Sequence, residues 1–470
     1  MHGRTLDPRW SYSVAGSLLS SGLEGAKTKL VEIAESQHLA LTHLLRKGKV
    51  PRMQLWLRCF ISLSVAGLCA CPGPLKYEAP PENQFYYPQS MVQSGDRLLV
   101  VSSNRNQRYD SGSIISIDLT KVDSQLNKSV IKTPDVVDHF MAVSSFSLSP
   151  LIVANQILLL SQEKHELISV PWNYNQLGTP IRTKLAWRNP YYLQENIVGY
   201  VHDPIRERID LTSPQIKFGE LQFDQETIHI EKWLKDDEKP STDKNMYPSD
   251  TTDNSVIRRF SHIGNMRIIG SHLLLAVDAP LSYTNLSYTQ TASHLLWIPM
   301  ADLNNNTKPE QVALTPLLDG ATSIASFDLS SDTKEIFVIT TATAMLAKID
   351  LDQDKLSFRQ AVSICDRPTA IRISPDNQTV LVACGSDSQI EAYNTLNLAF
   401  VGSEKPAKAL SPAQILFDNR NNFKNRFYVS YLDSGTIGVF QLNNTSSNRI
   451  EFLGQIGETA ALNHLGGFQP

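Results

Sequence analysis

The chain has 470 residues, of which 41% are hydrophobic and 19% charged. This composition can bury a large core, which excludes a chain that is disordered throughout. Residues 1–70 carry a net charge of +5, whereas the remainder carries −9. The acidic body lacks the electrostatic footprint of a nucleic-acid-binding protein. Five cysteines in this length exclude a disulfide-stapled scaffold.

The first 52 residues precede an internal methionine, Met53. Residues 13–45 carry a weak amphipathic helical pattern that ends in the basic run 46–49. Two interpretations stay open. Either the gene start is wrongly assigned and translation begins at Met53, or a genuine cytoplasmic helix precedes a signal anchor. N-terminal sequencing or the intact mass of the mature protein separates them.

The segment Met53–Ala70 has the layout of a secretory signal peptide. It begins with one positive charge, Arg58, and continues with the uncharged apolar run 59–70. A helix that spans a membrane needs about 20 such residues, and this run has 12. The sequence therefore predicts an export signal over 53–70.

Four residues at the end of this segment, Leu68-Cys69-Ala70-Cys71, resemble the lipobox of bacterial lipoproteins. The resemblance implies cleavage between Ala70 and Cys71 and a lipid anchor on Cys71, with residues 71–87 as the lipidated N-terminus and tether. The expected location is the bacterial cell envelope, on a membrane and facing the periplasm or the outside. The alternatives are a buried hydrophobic helix, or an ordinary signal peptide with a chance cysteine.

The body, residues 88–470, is predicted to be all-β and repetitive. Three stretches with the same pattern of apolar residues and a turn recur 44 residues apart, at 327–332, 371–376 and 415–420. Each is followed by a second apolar strand and, after a turn, by a third. A period of 40–45 residues with three or four strands predicts a β-propeller, in which neighbouring blades bury each other's faces.

Fainter copies lie upstream and bring the prediction to about seven four-stranded blades, with six or eight as alternatives. The strand pairs of these copies are 98–101 with 115–119, 157–160 with 167–170, and 273–277 with 295–298, and a degraded unit is expected at 196–230. The polar stretch Asp236–Asn254 is expected to be a solvated loop.

Units 327–351 and 371–397 resemble the YVTN-type repeats, WD40-like in their period, of bacterial surface and periplasmic propellers. Pro368, Ser374-Pro375-Asp376 and 380–383 match that pattern, whereas Asn377 stands in place of the usual Gly. The resemblance covers about 120 residues, 321–442. It implies the fold and no single function, because such propellers include scaffolds, lactonases and cofactor enzymes.

No local catalytic, metal-binding or cofactor-binding motif is found in the sequence. The eight histidines after residue 71 are scattered without ligand spacing, and the sequence has no P-loop, no G-x-S-x-G and no G-x-G-x-x-G motif. We therefore predict no catalytic residue, no metal site and no cofactor.

The repeat places two cysteines on one face of the predicted propeller. Cys365 lies in the loop that enters one unit, and Cys384 lies in the loop between its second and third strands. In an oxidising compartment the two can form a disulfide, and two free, partly buried thiols are the alternative. The same face is the predicted binding surface, formed by Asp366, Arg367, Asp387, Tyr431 and Asp433. The alternative is that these are solvated turn residues.

The sequence leaves two functions open for this protein. The first is a lipid-anchored, non-enzymatic propeller that binds another envelope protein or acts as a scaffold. The alternative is a periplasmic or surface enzyme, such as a lactonase-like hydrolase, with residues that converge from several blades. A cluster of histidines and carboxylates in the central channel favours the enzyme.

Overall fold

The structure is a computed structural model, and it describes residues 79–458 with gaps. The gaps are 105–108, 127, 146, 148–149, 154, 162–163, 165, 174–175, 185–188, 194–195, 202–207, 218–219, 230–256, 260–262, 278–280, 285–286, 291–293, 300–309, 314–323, 342, 353–354 and 444–447. Between 189 and 266 the description is limited to the backbone. The segment 1–52, the signal 53–70, Cys71, most of the tether 71–87 and the loop 236–254 lie outside the described residues.

The chain divides into two compact units, Met1–Lys76 and Tyr77–Pro470, and the described residues all belong to the second. The described ranges contain thirty-two β-strands, two short α-helices and one turn of 3-10 helix, Asn421–Phe423. Within those ranges, we find no helix with the length and apolar character needed to cross a membrane.

Seven sheets are each built from four strands in simple antiparallel order, and one of them, sheet 7, gains a fifth strand from elsewhere in the chain. Sheet 1 consists of β1 (Pro88–Ser94), β2 (Arg97–Ser102), β3 (Gly112–Asp118) and β5 (Val137–Val143). Sheet 2 consists of β6 (Leu151–Val153), β7 (Gln156–Ser161), β8 (Glu166–Pro171) and β9 (Ile181–Lys184). Sheet 3 consists of β10 (Asn189–Leu193), β11 (Asn196–Val201), β12 (Arg208–Lys217) and β13 (Glu220–His229). Sheet 4 consists of β15 (Ile263–Ile269), β16 (His272–Val277), β19 (His294–Pro299) and β20 (Glu310–Ala313).

The last three sheets correspond to the clearest sequence repeats. Sheet 5 consists of β21 (Ile324–Leu329), β22 (Glu335–Thr340), β23 (Met345–Asp352) and β24 (Lys355–Ser363). Sheet 6 consists of β25 (Pro368–Ile373), β26 (Thr379–Cys384), β27 (Gln389–Asn394) and β28 (Phe400–Glu404). Sheet 7 consists of β29 (Pro412–Phe417), β30 (Arg426–Tyr431), β31 (Thr436–Leu442) and β32 (Ile450–Ile456). A small separate sheet contains β14 (Ile257–Arg259), β17 (Leu281–Thr284) and β18 (Ser287–Gln290).

The second strands of sheets 5, 6 and 7 are buried on both faces. All six residues of β26 are buried, as are the residues that follow Glu335 in β22. A strand that packs against a neighbouring sheet on each side needs a continuous apolar run rather than an alternating one. This is why the sequence runs 336–339 and 380–383 are wholly apolar.

The turn between the first and second strands also follows from the sequence. In sheet 6, Asp376 accepts hydrogen bonds from the Ser374 hydroxyl (2.6 Å) and the Gln378 backbone N–H (3.1 Å). Asn377 has a φ of 59°, a left-handed conformation that Asn tolerates better than most residues. Asn can therefore replace the Gly of the repeat pattern.

The sheets contact one another in a closed series, through their first strands except where β10 of sheet 3 contacts β7, the second strand of sheet 2. β1 contacts β6, β10 contacts β7 and β15, β15 contacts β21, β21 contacts β25, β25 contacts β29, and β29 contacts β1. Shared apolar clusters fill the spaces between sheets 4 and 5, 5 and 6, 6 and 7, 7 and 1, and 1 and 2. The fold is a β-propeller, as the sequence predicted. The number of blades, about seven, stays a prediction.

An insertion in sheet 1 reaches sheet 7. The connection between β3 and β5 contains helix α1 (Leu119–Asp123), the short strand β4 (Val130–Ile131) and helix α2 (Thr133–Val136). β4 pairs in parallel with the end of β32 and becomes the fifth strand of sheet 7. The insertion thus links the last repeat to the first and covers an otherwise open sheet edge.

Candidate functional site

Cys365 and Cys384 lie together at the corner of sheet 6. Cys365 precedes β25, Cys384 ends β26, and the two sulfurs form a disulfide with the Cα atoms 5.7 Å apart. Both cysteines are buried, Cys384 completely. The two loops that the repeat pattern assigned to one face are therefore joined covalently.

A buried carboxylate lies beside this disulfide. Glu391 accepts hydrogen bonds from the Cys365 backbone N–H (3.1 Å), the Gln389 amide (2.9 Å) and the Tyr393 hydroxyl (2.6 Å). Burial, and then the neighbouring Glu391 carboxylate, raise the pKa of Tyr393 above its usual range, so the phenol stays a donor. This network fixes the loop on which the exposed residues stand.

Three predicted binding residues, Asp366, Arg367 and Asp387, are exposed at this corner. Asp366 accepts a hydrogen bond from the Ser386 hydroxyl at 2.9 Å. The backbone oxygen of Arg367 accepts one from the Gly385 N–H, also at 2.9 Å, and a Cβ on Gly385 would lie 2.8 Å from that oxygen. Only Gly permits this close approach of the two loops.

The backbone of the corner is strained at two residues. Arg367 has a φ of 53° and Ser388 a φ of 57°, in the left-handed region that costs about 1–2 kcal/mol for a residue with a side chain. Strain of this kind persists where the surrounding structure enforces it, and such positions cluster at functional sites. Ala344 and Ser411, which lie one repeat of 44 residues from Ser388 and Arg367, have the same conformation, so it belongs to the turns of the repeat.

The entering loop of sheet 7 lies against the same corner. The Ser411 N–H donates to the Ser388 hydroxyl at 3.3 Å, and the Ser411 hydroxyl donates to the exposed Asp433 carboxylate. The Leu432 N–H donates to the Ser411 backbone oxygen at 2.9 Å. Asp433 therefore belongs to the same surface as Asp366, Arg367 and Asp387, and we call these four residues the loop face.

Tyr431 does not belong to this surface, and its placement there was wrong. It is the last residue of β30, and its side chain is fully buried in the apolar cluster between sheets 6 and 7. The sequence pattern assigned Tyr431 to the loop after the second strand, but β30 extends to Tyr431, and all six of its residues are buried because this strand packs against a sheet on each face.

No group of histidines and carboxylates converges in the part of the chain that the structure describes. The three ligand-type residues found together there are Cys365, Cys384 and Glu391, and both thiols are consumed in the disulfide. Among the eight histidines after residue 71, the surroundings of His139 and His272 are described. The arrangement at the corner can present charge and hydrogen-bonding groups, and in its oxidised form it offers no pair of thiolates to a metal.

The sequence did not reveal Glu391, Ser388 or Ser411 as parts of the site. Each lies in an ordinary turn or strand pattern, and its role depends on a neighbour that is more than 20 residues away. The pattern Gly385-Ser386-Asp387 after an apolar strand is the available signal for a tight turn at this corner.

The similarity of this chain to known proteins is structural and comes with low sequence identity. No protein-family model and no curated protein matches the sequence. Solved β-propeller structures match with 7–12% identity. The β-propeller domain of Myceliophteria thermophila Cps50 (Swd1) has 12% identity and a TM-score of 0.48 over 76% of this chain and 97% of its own. Saccharomyces cerevisiae Sqt1 has 7% identity and a TM-score of 0.47 over 80% of this chain and 88% of its own.

Kuenenia stuttgartiensis hydrazine synthase also matches, with 11% identity and a TM-score of 0.49 over 80% of this chain and 99% of its own. A β-propeller fold by itself assigns no activity. The function must be argued from the residues of this chain.

Proposed function

We propose that the protein is a lipid-anchored propeller of the bacterial cell envelope that binds another envelope protein through the loop face. The observation that carries the binding role is the corner of sheet 6. There, exposed Asp366, Arg367 and Asp387 stand on two loops that are joined by a disulfide and held in strained conformations.

A fixed polar surface favours binding because ordering costs are small. Association costs about 0.5–1.5 kcal/mol for each flexible side chain that is immobilised, and flexible loops add to this. Here the backbone is already held by the Cys365–Cys384 bond, by Glu391 and by the contact from Ser411. Charged groups on such a surface select a partner with complementary charges and speed the encounter.

The anchor rests on the sequence segment 53–71. A short apolar run followed by Leu68-Cys69-Ala70-Cys71 is typical of a chain that is exported and then acylated. Because the body carries a charge of −9, attraction to anionic lipid does not explain membrane attachment, and a covalent lipid does.

The anchor is tested by expression of the full chain in a bacterial host and mass spectrometry of the mature N-terminus. We expect a protein that begins at a lipid-modified Cys71 and partitions into detergent. The Cys71→Ala variant should lose both properties. A mature protein with an unmodified Cys71, or with a different N-terminus, contradicts the anchor.

The binding role is tested by affinity capture of cross-linked partners from the envelope with the detergent-solubilised mature protein. The variant D366N/R367Q/D387N should lose at least tenfold of the captured partner, because the loop face loses three of its four charged groups. The matched control K128Q/D135N/E451Q removes two acids and one base at other exposed positions and should capture normally. Equal capture by both variants would refute the loop face as the binding surface.

A further inference from the structure

Three charged residues lie on adjacent first strands, away from the loop face. Arg267 is in β15, Asp328 in β21 and Arg372 in β25. These three strands are edge strands of their sheets, and β21 contacts both β15 and β25. In a propeller such strands surround the central axis. The cluster thus belongs to the central part of the propeller.

Both guanidinium groups converge on the same carboxylate oxygen. Nη1 of Arg267 lies 2.9 Å from Oδ1 of Asp328, and Nη1 of Arg372 lies 3.4 Å from that atom. The other oxygen of Asp328 accepts the backbone N–H of Ile373 at 2.9 Å, and Nε of Arg372 donates to the Ile415 carbonyl at 3.2 Å. One carboxylate therefore links sheets 4, 5 and 6, and Arg372 extends the link to sheet 7.

The cluster contains more positive charge than its carboxylate can balance. Within the described ranges, Asp328 is the single ion-pair partner of Arg267 and also of Arg372. Asp328 is 7% exposed, whereas the side chains of Arg267 and Arg372 are 44% and 38% exposed. The buried anion thus holds two half-exposed cations close together, with a net charge of +1 towards solvent.

Among the contacts of the described residues, the two guanidinium groups also keep unused donors. Each has five N–H donors in a planar fork. Arg372 directs donors to Asp328 and Ile415, and Arg267 directs one to Asp328. Two guanidinium forks held side by side match the oxygens of a phosphate or a carboxylate, which accept paired hydrogen bonds from Arg.

The position of the cluster separates it from the loop face. β25 begins at Pro368, beside the disulfide, and Arg372 follows four residues later. At about 3.3 Å per residue in a strand, this is a distance of roughly 13 Å along the sheet. The cluster lies at the opposite end of the first strands, next to the turns that lead into the second strands.

We propose that Arg267 and Arg372 form a binding site for a small oxyanion, a phosphate or carboxylate group, at the centre of the propeller. Asp328 is the positioning residue that holds the two guanidinium groups together. The site is independent of the proposed partner at the loop face.

The test is isothermal titration of the full, detergent-solubilised chain with inorganic phosphate and, in a separate arm, with acetate. We expect saturable binding of at least one anion to one site, weakened by added chloride because charges carry the interaction. Arg267→Gln and Arg372→Gln should each weaken binding at least tenfold. The control is Arg359→Gln, which removes an exposed Arg from the ion pair with Asp350 in sheet 5 and should bind normally.

Arg372 connects three sheets, so Arg372→Gln can disturb the fold. In that case Arg267→Gln decides the outcome, because Arg267 makes one ion pair within the described ranges. Thermal melts of each variant establish which of them is folded. The proposal is overturned if neither anion saturates, if folded Arg267→Gln binds like the parent, or if Arg359→Gln weakens binding as much.

Discussion

Tyr428 and Tyr431 lie three residues apart in β30, and both side chains are fully buried. Their hydroxyls have different surroundings. The Tyr428 hydroxyl donates to the Asp418 carboxylate at 2.7 Å, whereas the Tyr431 hydroxyl has no hydrogen-bond partner among the described residues. Burial raises the pKa of both phenols above the usual range, so each hydroxyl stays protonated. The Tyr428 hydroxyl thus stabilises the fold, whereas the buried Tyr431 hydroxyl gives up its hydrogen bonds to water without a replacement among the described residues.

The matched variants Tyr428→Phe and Tyr431→Phe test this contrast. Tyr428→Phe should lower the free energy of unfolding by about 2 kcal/mol, because a hydrogen bond to a charged group is lost. Tyr431→Phe should leave it unchanged or raise it by up to about 1 kcal/mol, because an unsatisfied buried hydroxyl is removed. Urea unfolding followed by tryptophan fluorescence measures both. Equal destabilisation by the two substitutions would contradict the assigned partners.

The negative charge of Asp418 contributes to the stability of the fold. Burial alone raises its pKa, but hydrogen bonds from Arg420, Gln93 and Tyr428 outweigh burial and hold the pKa below its usual value. The unfolded chain therefore takes up a proton on this group at a higher pH than the folded protein does. The stabilisation is complete above the unfolded pKa of about 3.9 and is lost as the pH falls through the lower folded value.

We expect Asp418→Asn to destabilise the protein at pH 7 by about 3 kcal/mol, because a buried ion pair loses one partner. The difference from the parent should shrink as the pH falls below about 4, where the parent's carboxyl also becomes protonated. Urea unfolding at a series of pH values measures this. Asp350→Asn is the control, since its ion pair with Arg359 is exposed and should be worth less than about 1 kcal/mol. A difference that is constant with pH would disprove the charged role of Asp418.

At the scale of elements, the disulfide joins the start of β25 to the end of β26. The bond closes a loop over a sequence separation of 19 residues. Chain entropy predicts about 3 kcal/mol of stabilisation for a loop of this size. Because Cys384 is fully buried, the bond lies inside the sheet corner on which the loop face stands.

Intact mass with and without reductant should differ by two hydrogens for this pair, and alkylation after reduction should label Cys365 and Cys384. The double variant C365A/C384A should unfold with a free energy about 3 kcal/mol lower than the parent, while the fold is retained. Circular dichroism and urea unfolding measure this. Labelling of both thiols without reductant would show that the cysteines are free, the other interpretation that the sequence allowed.

At the scale of the whole molecule, the ring must be closed between its last and first sheets. The insertion in sheet 1 does this with β4, which pairs with β32, and with Asp123 at the end of α1. Asp123 pairs with Arg420 at 2.9 Å and with Arg426, and both guanidinium groups stack on Phe423. A hydrogen bond from Gln93 in β1 to Asp418, the residue after β29 (2.8 Å), joins the same two sheets.

Asp123→Asn should weaken this closure and lower the free energy of unfolding by about 3 kcal/mol, because two largely buried guanidinium groups lose a shared carboxylate. Hydrogen exchange should rise first in sheets 1 and 7. The control Glu335→Gln breaks an ion pair with Lys348 inside sheet 5 and should affect exchange in that sheet. Exchange that rises evenly over all sheets in Asp123→Asn would contradict a local closure.

The sequence alone determined the β-propeller, because the strand pattern is local and repeats every 44 residues. The first, second and third strands of sheets 5 to 7 overlap with the predicted stretches. In sheet 6, Pro368 begins the first strand and Asp376 lies in the turn that follows it. The exposure of Asp366, Arg367 and Asp387 followed from the same pattern, since turn residues lie at the surface.

Only the tertiary structure decided which residues meet across sheets. The inward direction of Tyr431, the closure by β4 and Asp123, and the convergence of Arg267 and Arg372 on Asp328 all depend on neighbours distant in sequence. A period in the sequence fixes the shape of one blade, because hydrogen bonds within a sheet are made by residues close in the chain. The contacts between blades depend on packing geometry that no single repeat encodes.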